Sequence, residues 1–202
     1  IAVIGGGRIP MPGEVTLAHM GVLFLDEIAE FTRDTLEALR QPIEDGTVYI
    51  SRAAAKAQFP CEFTLVAAMN PCPCGYYGTS DCRCKENDVR KYLAKISGPI
   101  LDRIDLQVEL QALTPQQRMA APIPDQSRKL RSKVQKARDI QHERFKDTSI
   151  SCNATIPGGE TFEYCRFTPD ALEHFTQIIE KNKVSTRSTN RLAKVAQTVA
   201  DL

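Results

Sequence analysis

The chain lacks tryptophan, its aromatics amount to 6% of 202 residues, and it holds three histidines. So few aromatics leave little for stacking on nucleic-acid bases. His19, His142 and His174 are scattered and read as single structural or surface residues. No apolar run approaches the roughly 18–20 residues that a membrane helix needs. No basic stretch leads into an apolar signal core. An excess of one charge is also missing: 26 Lys and Arg face 25 Asp and Glu, a formal charge of +1. That excludes a bulk polyanion binder and leaves room only for a local basic patch. An initiator methionine is absent, since the chain opens on Ile1, so it reads as a piece of a longer protein. What is present is ordinary for a globular chain: 42% hydrophobic and 25% charged residues, enough for one large domain or one and a half small ones.

The seven cysteines are unevenly placed. Cys72, Cys74, Cys82 and Cys84 cluster, Cys61 lies upstream, and Cys152 and Cys165 stand apart. An odd count without a secretory leader argues for reduced, cytoplasmic thiols over a disulfide framework. Cys61 reads as core; Cys152 and Cys165 carry no assignment. The C-x-C pairs can close a tetrahedral Zn²⁺ shell, although the spacing departs from the commoner C-x₂-C. Four reduced thiols in a surface loop is the alternative.

Two halves differ in texture, and the boundary falls at Leu113-Thr114-Pro115. Residues 1–113 hold three apolar runs that read as buried parallel strands: Gly21–Leu25, Phe63–Met69 and Ile104–Leu110. A helix is expected over Thr32–Glu44, capped by Thr32 and ended by Asp45-Gly46. Thr47–Ser51 and Gln58–Phe63 should flank a small-residue hairpin tip at Arg52–Ala57. The glycines and prolines of residues 5–13 read as an irregular loop. This alternation means α/β. Residues 114–202 should form a small helical lid of three helices: Gln126–Lys146, Pro169–Lys181 and Ser188–Leu202. Their expected buried faces are Leu130, Val134, Ala137 and Ile140; Leu172, Phe175 and Ile179; and Leu192, Val195, Ala196 and Val199.

The sharpest feature is Gly21-Val22-Leu23-Phe24-Leu25-Asp26-Glu27, an apolar strand delivering two carboxylates at its C-terminal end. Ligands of open α/β sheets bind at that edge. Nucleoside triphosphate hydrolysis needs one carboxylate for Mg²⁺ and a second to polarise the attacking water. Asp26 suits the metal and Glu27 the water. Two solvated acids at a strand end is the plainer alternative. Asn70 ends the next strand, where an amide can orient water. Arg103 precedes the third, and its fixed planar charge suits a transition-state phosphate. A turn asparagine and an arginine paired with Asp102 or Asp105 are the plain readings of those two.

The order of these features resembles an AAA+ ATPase, and more narrowly the magnesium-chelatase-like ComM family. The resemblance is carried by Gly5-Gly6-Gly7-Arg8-Ile9-Pro10, Leu17 through Glu27, Asn70-Pro71-Cys72-Pro73-Cys74-Gly75, Ser97-Gly98-Pro99-Ile100-Leu101-Asp102-Arg103-Ile104-Asp105, and Arg187…Asn190-Arg191-Leu192. It implies a partial AAA+ P-loop core with a parallel sheet, followed by the helical lid. It also implies a hexameric ring with ATP and Mg²⁺ between subunits. Asp26 and Glu27 match Walker B, Asn70 sensor 1, and Arg103 an arginine finger acting on a neighbour's ATP. Arg187 matches the sensor 2 arginine, with Arg191 as the alternative. One departure is clear: no G-x-x-x-x-G-K-[ST] loop occurs, and in this family it lies upstream of Ile1. The chain alone should therefore bind ATP poorly and hydrolyse it negligibly.

In related rings such hairpins point into the pore, so Arg52 and Lys56, with Arg8 in the opening loop, are candidate phosphate contacts. The basic run from Arg128 to Lys146 reads as a solvated lid face more than a DNA contact. Three functions remain in play. The first is a DNA-remodelling, branch-migration helicase. The second is a chelatase-type accessory ATPase driving metal insertion into a tetrapyrrole. The third is a zinc-stabilised interaction module. Cys72-Pro73-Cys74-Gly75 favours the first, and the intact Glu27, Asn70 and Arg103 argue against the third.

Overall fold

The computed structural model describes residues 3–7, 9–52, 55–121 and 123–202, with backbone alone at Arg52 and Ala55. The chain forms two compact units that divide between Ile104 and Asp105. The opening loop of the first unit is more regular than expected. Gly5–Gly6 (β1) and Met11–Pro12 (β2) form a short antiparallel ladder. Gly13 makes the closure possible, since a Cβ there would sit 2.2 Å from the Gly5 nitrogen. A one-turn helix, Glu14–Leu17 (α1), then buries Val15 completely.

Val22–Leu25 (β3) pairs in parallel with Thr64–Ala67 (β6), from Val22↔Thr64 to Leu25↔Ala67. The first two expected strands are therefore present, but shorter than their apolar runs. Only one face of β3 is covered: Leu23 and Leu25 are buried, whereas Val22 and Phe24 are 61% and 58% exposed. The expected helix over Thr32–Glu44 is broken into Arg33–Ala38 (α2) and Arg40–Asp45 (α3). Pro42 explains the break, because it has no N–H to give the Ala38 carbonyl. Thr32 caps the first piece through the Thr35 amide, as expected, and Gly46 ends the second at φ 62°. The hairpin strands reach further toward the tip than expected, Thr47–Arg52 (β4) and Ala55–Pro60 (β5), and β5 ends at Pro60 instead of Phe63. Lys56 thus sits within β5 opposite Ser51, not in the tip.

Two helices follow, Glu86–Leu93 (α4) and Gly98–Leu101 (α5). Val15, Leu23, Leu25, Ile28, Leu36, Leu39, Ile50, Cys61 and Ile100 share one core. Cys61 is core, as expected. Each fully buried large aliphatic contributes about 1.5–3 kcal/mol.

The third expected strand is not formed. Residues 104–110 make no ladder, and Leu106, Val108 and Leu110 are 69%, 78% and 89% exposed. Apolar alternation alone does not make a strand; its amides need a hydrogen-bonding neighbour, and none of the described strands supplies one.

The second unit is helical: Pro115–Met119 (α6), Gln126–Phe145 (α7), Thr161–Tyr164 (α8), Pro169–Asn182 (α9) and Thr186–Asp201 (α10). The three long helices match the expected spans within a few residues. Their buried faces differ. On α7 only Ala137 of the expected stripe is buried, beside Gln141 and Phe145. On α9 Phe175 is buried and Ile179 partly so, but Leu172 is exposed. On α10 the buried residues are Ala193 and Asp201, whereas Leu192, Ala196 and Val199 are exposed.

A polar network replaces the expected apolar contact. Arg144 donates to both Asp201 oxygens at 2.8 and 2.5 Å and to Asn153 Oδ1 at 2.8 Å. Asn153 Nδ2 donates to Asp201 and Thr198, and the Asn153 amide donates to Gln141 Oε1. Burial pushes the Asp201 carboxyl up, but hydrogen bonds from Arg144, Asn153 and Gln197 and the Arg144 charge outweigh it and hold it low. Asp201→Ala should cost about 3 kcal/mol, because Arg144 is left buried without its counter-charge; urea denaturation of the second unit measures it. Since folding lowers this carboxyl, its contribution is complete above the ordinary carboxylate range. It is lost as pH falls through the lowered value.

Candidate functional site

The acidic edge is built by burial on either side of it. Leu25 ends β3 in the core, and after two intervening residues Ile28 and Ala29 return to it. Asp26 and Glu27 lie between and are exposed. Glu27 adopts the left-handed conformation, φ 48° and ψ 46°, at a cost of about 1–2 kcal/mol for a residue with a Cβ. The turn is held by Asp26 Oδ1, which accepts the Glu27 N–H at 2.9 Å. The Ile28 N–H reaches across to the Ala68 carbonyl at 3.0 Å, and the Ala68 N–H to that of Leu25 at 2.9 Å. These last two bonds carry the β3–β6 pairing beyond the strands and bring Asn70 to the same C-terminal edge as Asp26 and Glu27. Asn70 is exposed there. Asp26 and Glu27 thus follow one of two paired parallel strands, and Asn70 follows the other.

Arg103 is placed differently from either plain expectation. Its guanidinium pairs with Glu44 of α3, not with Asp102 or Asp105, and Nη1 donates to the Pro99 carbonyl at 2.6 Å. The side chain is only 10% exposed, and Nε is buried without an acceptor. Arg103, Glu44, Glu37, Arg40 and Asp45 line an open hollow of about 380 Å³. Glu44 was not legible as a partner, because it lies 59 residues away in sequence.

Arg187 and Arg191 sit one turn apart at the start of α10. Arg187 is exposed. Arg191 donates through Nε to Asp105 at 2.8 Å. Of the candidate nucleic-acid residues, Lys56 is exposed on β5. Arg8 and the side chain of Arg52 lie outside the described residues.

The cysteine cluster assembles as its spacing suggested. The Sγ atoms of Cys72, Cys74, Cys82 and Cys84 all lie within 4.8 Å of one another and could hold a metal ion. Backbone N–H groups of Arg83 and Tyr76 lower the Cys74 thiol to about 6. Cys84 is pushed up to about 12, first by its hydrogen bond with Cys74. Tyr92 of α4 is buried beside the cluster, and only the structure identifies it. Burial pushes its phenol up, the carboxylates of Glu30 and Glu27 add to this, and the backbone N–H of Asn70 opposes it. A tyrosine in the helix after a cysteine loop has no sequence signal of its own.

The family model for the magnesium chelatase subunit ChlI matches residues 1–118, and that for its C-terminal part matches residues 124–202. The chain belongs to the magnesium-chelatase-like family. Its relatives there include the competence protein ComM of Haemophilus influenzae, 43% identical over 203 residues, and YifB of Escherichia coli, an uncharacterized protein, 41% identical over 202. An uncharacterized protein of Mycobacterium tuberculosis is 38% identical. In each case the whole of this chain is matched. The chain spans 39% of the first two and 40% of the third. No helix among the described residues is long and apolar enough to cross a membrane.

Proposed function

We propose that this chain supplies the acidic edge, sensor and lid of an ATP-hydrolysing AAA+ motor that remodels DNA by branch migration. In this reading residues 1–113 belong to the nucleotide-binding core, residues 114–202 form the lid, and a hexameric ring places ATP between subunits. The observation that carries it is that Asp26-Glu27 and Asn70 follow the C-terminal ends of two paired parallel strands, in a chain 43% identical to a competence protein.

Asp26 fits a magnesium ion: it is an exposed carboxylate whose Oδ1 takes the Glu27 N–H, leaving Oδ2 for a metal-bound water. That ion would neutralise phosphate charge. Glu27 takes the proton of the attacking water, and Asn70 orients that water. Arg103 acts in the neighbouring subunit's site, and Arg187, or Arg191 once released from Asp105, reaches nucleotide from the lid. Arg8, Arg52 and Lys56 contact the DNA backbone. The 202 residues contain no G-x-x-x-x-G-K-[ST] loop, so the chain alone binds ATP poorly and activity belongs to the full-length protein.

The test is ATP turnover of the full-length protein alone, with single-stranded DNA and with forked DNA. DNA stimulation is expected, strongest with the fork. DNA-independent turnover would shift the reading to a chelatase-type motor acting on a protein client.

A further inference from the structure

We propose that Cys72, Cys74, Cys82 and Cys84 hold one structural zinc ion, which clamps the segment after Asn70 to the start of α4. The argument begins with distances. Zinc–sulfur bonds of about 2.3 Å in a tetrahedron set the sulfurs about 3.8 Å apart. The Cys72–Cys74, Cys72–Cys82 and Cys74–Cys82 separations are 3.4, 4.0 and 3.8 Å, and no pair of the four exceeds 4.8 Å. A multi-iron cluster spreads its thiolates wider, because they bind different metal atoms. All four cysteines are free, so no disulfide accounts for the approach.

The backbone supports the same assignment. Backbone N–H groups of Tyr76 and Arg83 favour the Cys74 thiolate, that of Cys84 the Cys82 thiolate, and that of Cys74 the Cys84 thiolate. Such donors stabilise metal-bound thiolates and fix their orientation. Gly75 permits the turn, with φ 82° and an N–H to the Cys72 carbonyl at 3.0 Å. A shell of four sulfurs has no open position, so the ion is structural and not catalytic. Its binding releases the thiol protons to solvent.

The consequence follows from where the ligands sit. Cys72 is fully buried two residues after Asn70. Cys84 immediately precedes Lys85, the N-cap of α4. That helix carries Tyr92, which is buried in the first unit. One ion would therefore tie the chain two residues after Asn70 to the residue before the N-cap of α4. The zinc site stands on its geometry; its effect on Asn70 rests on the ATPase reading.

The test compares full-length wild type with Cys74→Ser/Cys84→Ser, both purified under reducing conditions. Elemental analysis should find one zinc per chain more in the wild type. Cobalt exchange should give the intense visible bands of tetrahedral thiolate coordination in the wild type alone. Should the variant fail to fold, wild type titrated with a mercurial thiol reagent should release zinc to a metallochromic dye in step with four thiols. Zinc removal should lower kcat by about 10²-fold with ATP affinity unchanged. Equal zinc in both proteins, iron in place of zinc, or a zinc-free folded wild type overturns the site. Unchanged kcat after zinc removal overturns the clamp on Asn70. A zinc-loaded protein without ATP turnover would instead contradict the ATPase reading and leave the metal site standing.

Discussion

Full-length protein carrying Glu27→Gln binds Mg-ATP as tightly as wild type and hydrolyses it at least about 10²-fold more slowly, the loss expected when a general base is removed. The amide keeps the size and shape of the carboxylate but cannot accept the proton of the attacking water. Glu27 is exposed, so the substitution should leave the turn intact. The backbone bonds that shape it, Ile28 to Ala68 and Ala68 to Leu25, do not involve that side chain. Asp26 is untouched, and with it the proposed magnesium contact, which separates binding from turnover. Equilibrium nucleotide binding and phosphate release measure the two quantities. Wild-type turnover in the variant would remove Glu27 as the base.

Arg103→Ala should lower turnover by about 10³-fold and leave ATP affinity within a few-fold of wild type, as for other arginine fingers. The guanidinium supplies charge to the transition state of a neighbour's site and little to ground-state binding. In the structure it is held by Glu44 and the Pro99 carbonyl. Acting as a finger therefore means exchanging the Glu44 carboxylate for phosphate oxygens. The cost of losing that ion pair in the variant is small, because Glu44 is 41% exposed and can be rehydrated. A thermal melt beside the kinetic measurement checks this. A variant that melts like wild type but turns over slowly has lost a catalytic contact, not a fold.

Much of the acidic strand edge was legible because its signals are local. An apolar run followed by Asp26-Glu27, and a second ending in Asn70, require only that the two runs pair, and they do. The cysteine cluster was legible for the same reason, since two C-x-C pairs across a short loop can meet without long-range information. What escaped was set by partners distant in sequence. Residues 104–110 have strand-like alternation but no described neighbour to pair with. The faces of α7 and α10 were misassigned because hydrophobic periodicity cannot register hydrogen bonds. Arg144, Asn153 and Asp201 bury a polar network where an apolar stripe was expected. Leu130, Val134, Ile140 and Leu192 are left outside. The break between α2 and α3 was readable in principle from Pro42 alone.

The central claim is an ATP site shared between subunits, with Glu27 from one and Arg103 from the next. Mixing full-length Glu27→Gln with full-length Arg103→Ala tests it most directly. Each protein alone should be inactive. In rings assembled at random from equal amounts, about a quarter of the interfaces should pair an intact Glu27 with an intact Arg103. ATP turnover should therefore return in the mixture and peak near equal proportions. Absence of recovery at every ratio, in rings shown to have exchanged subunits, would contradict the account.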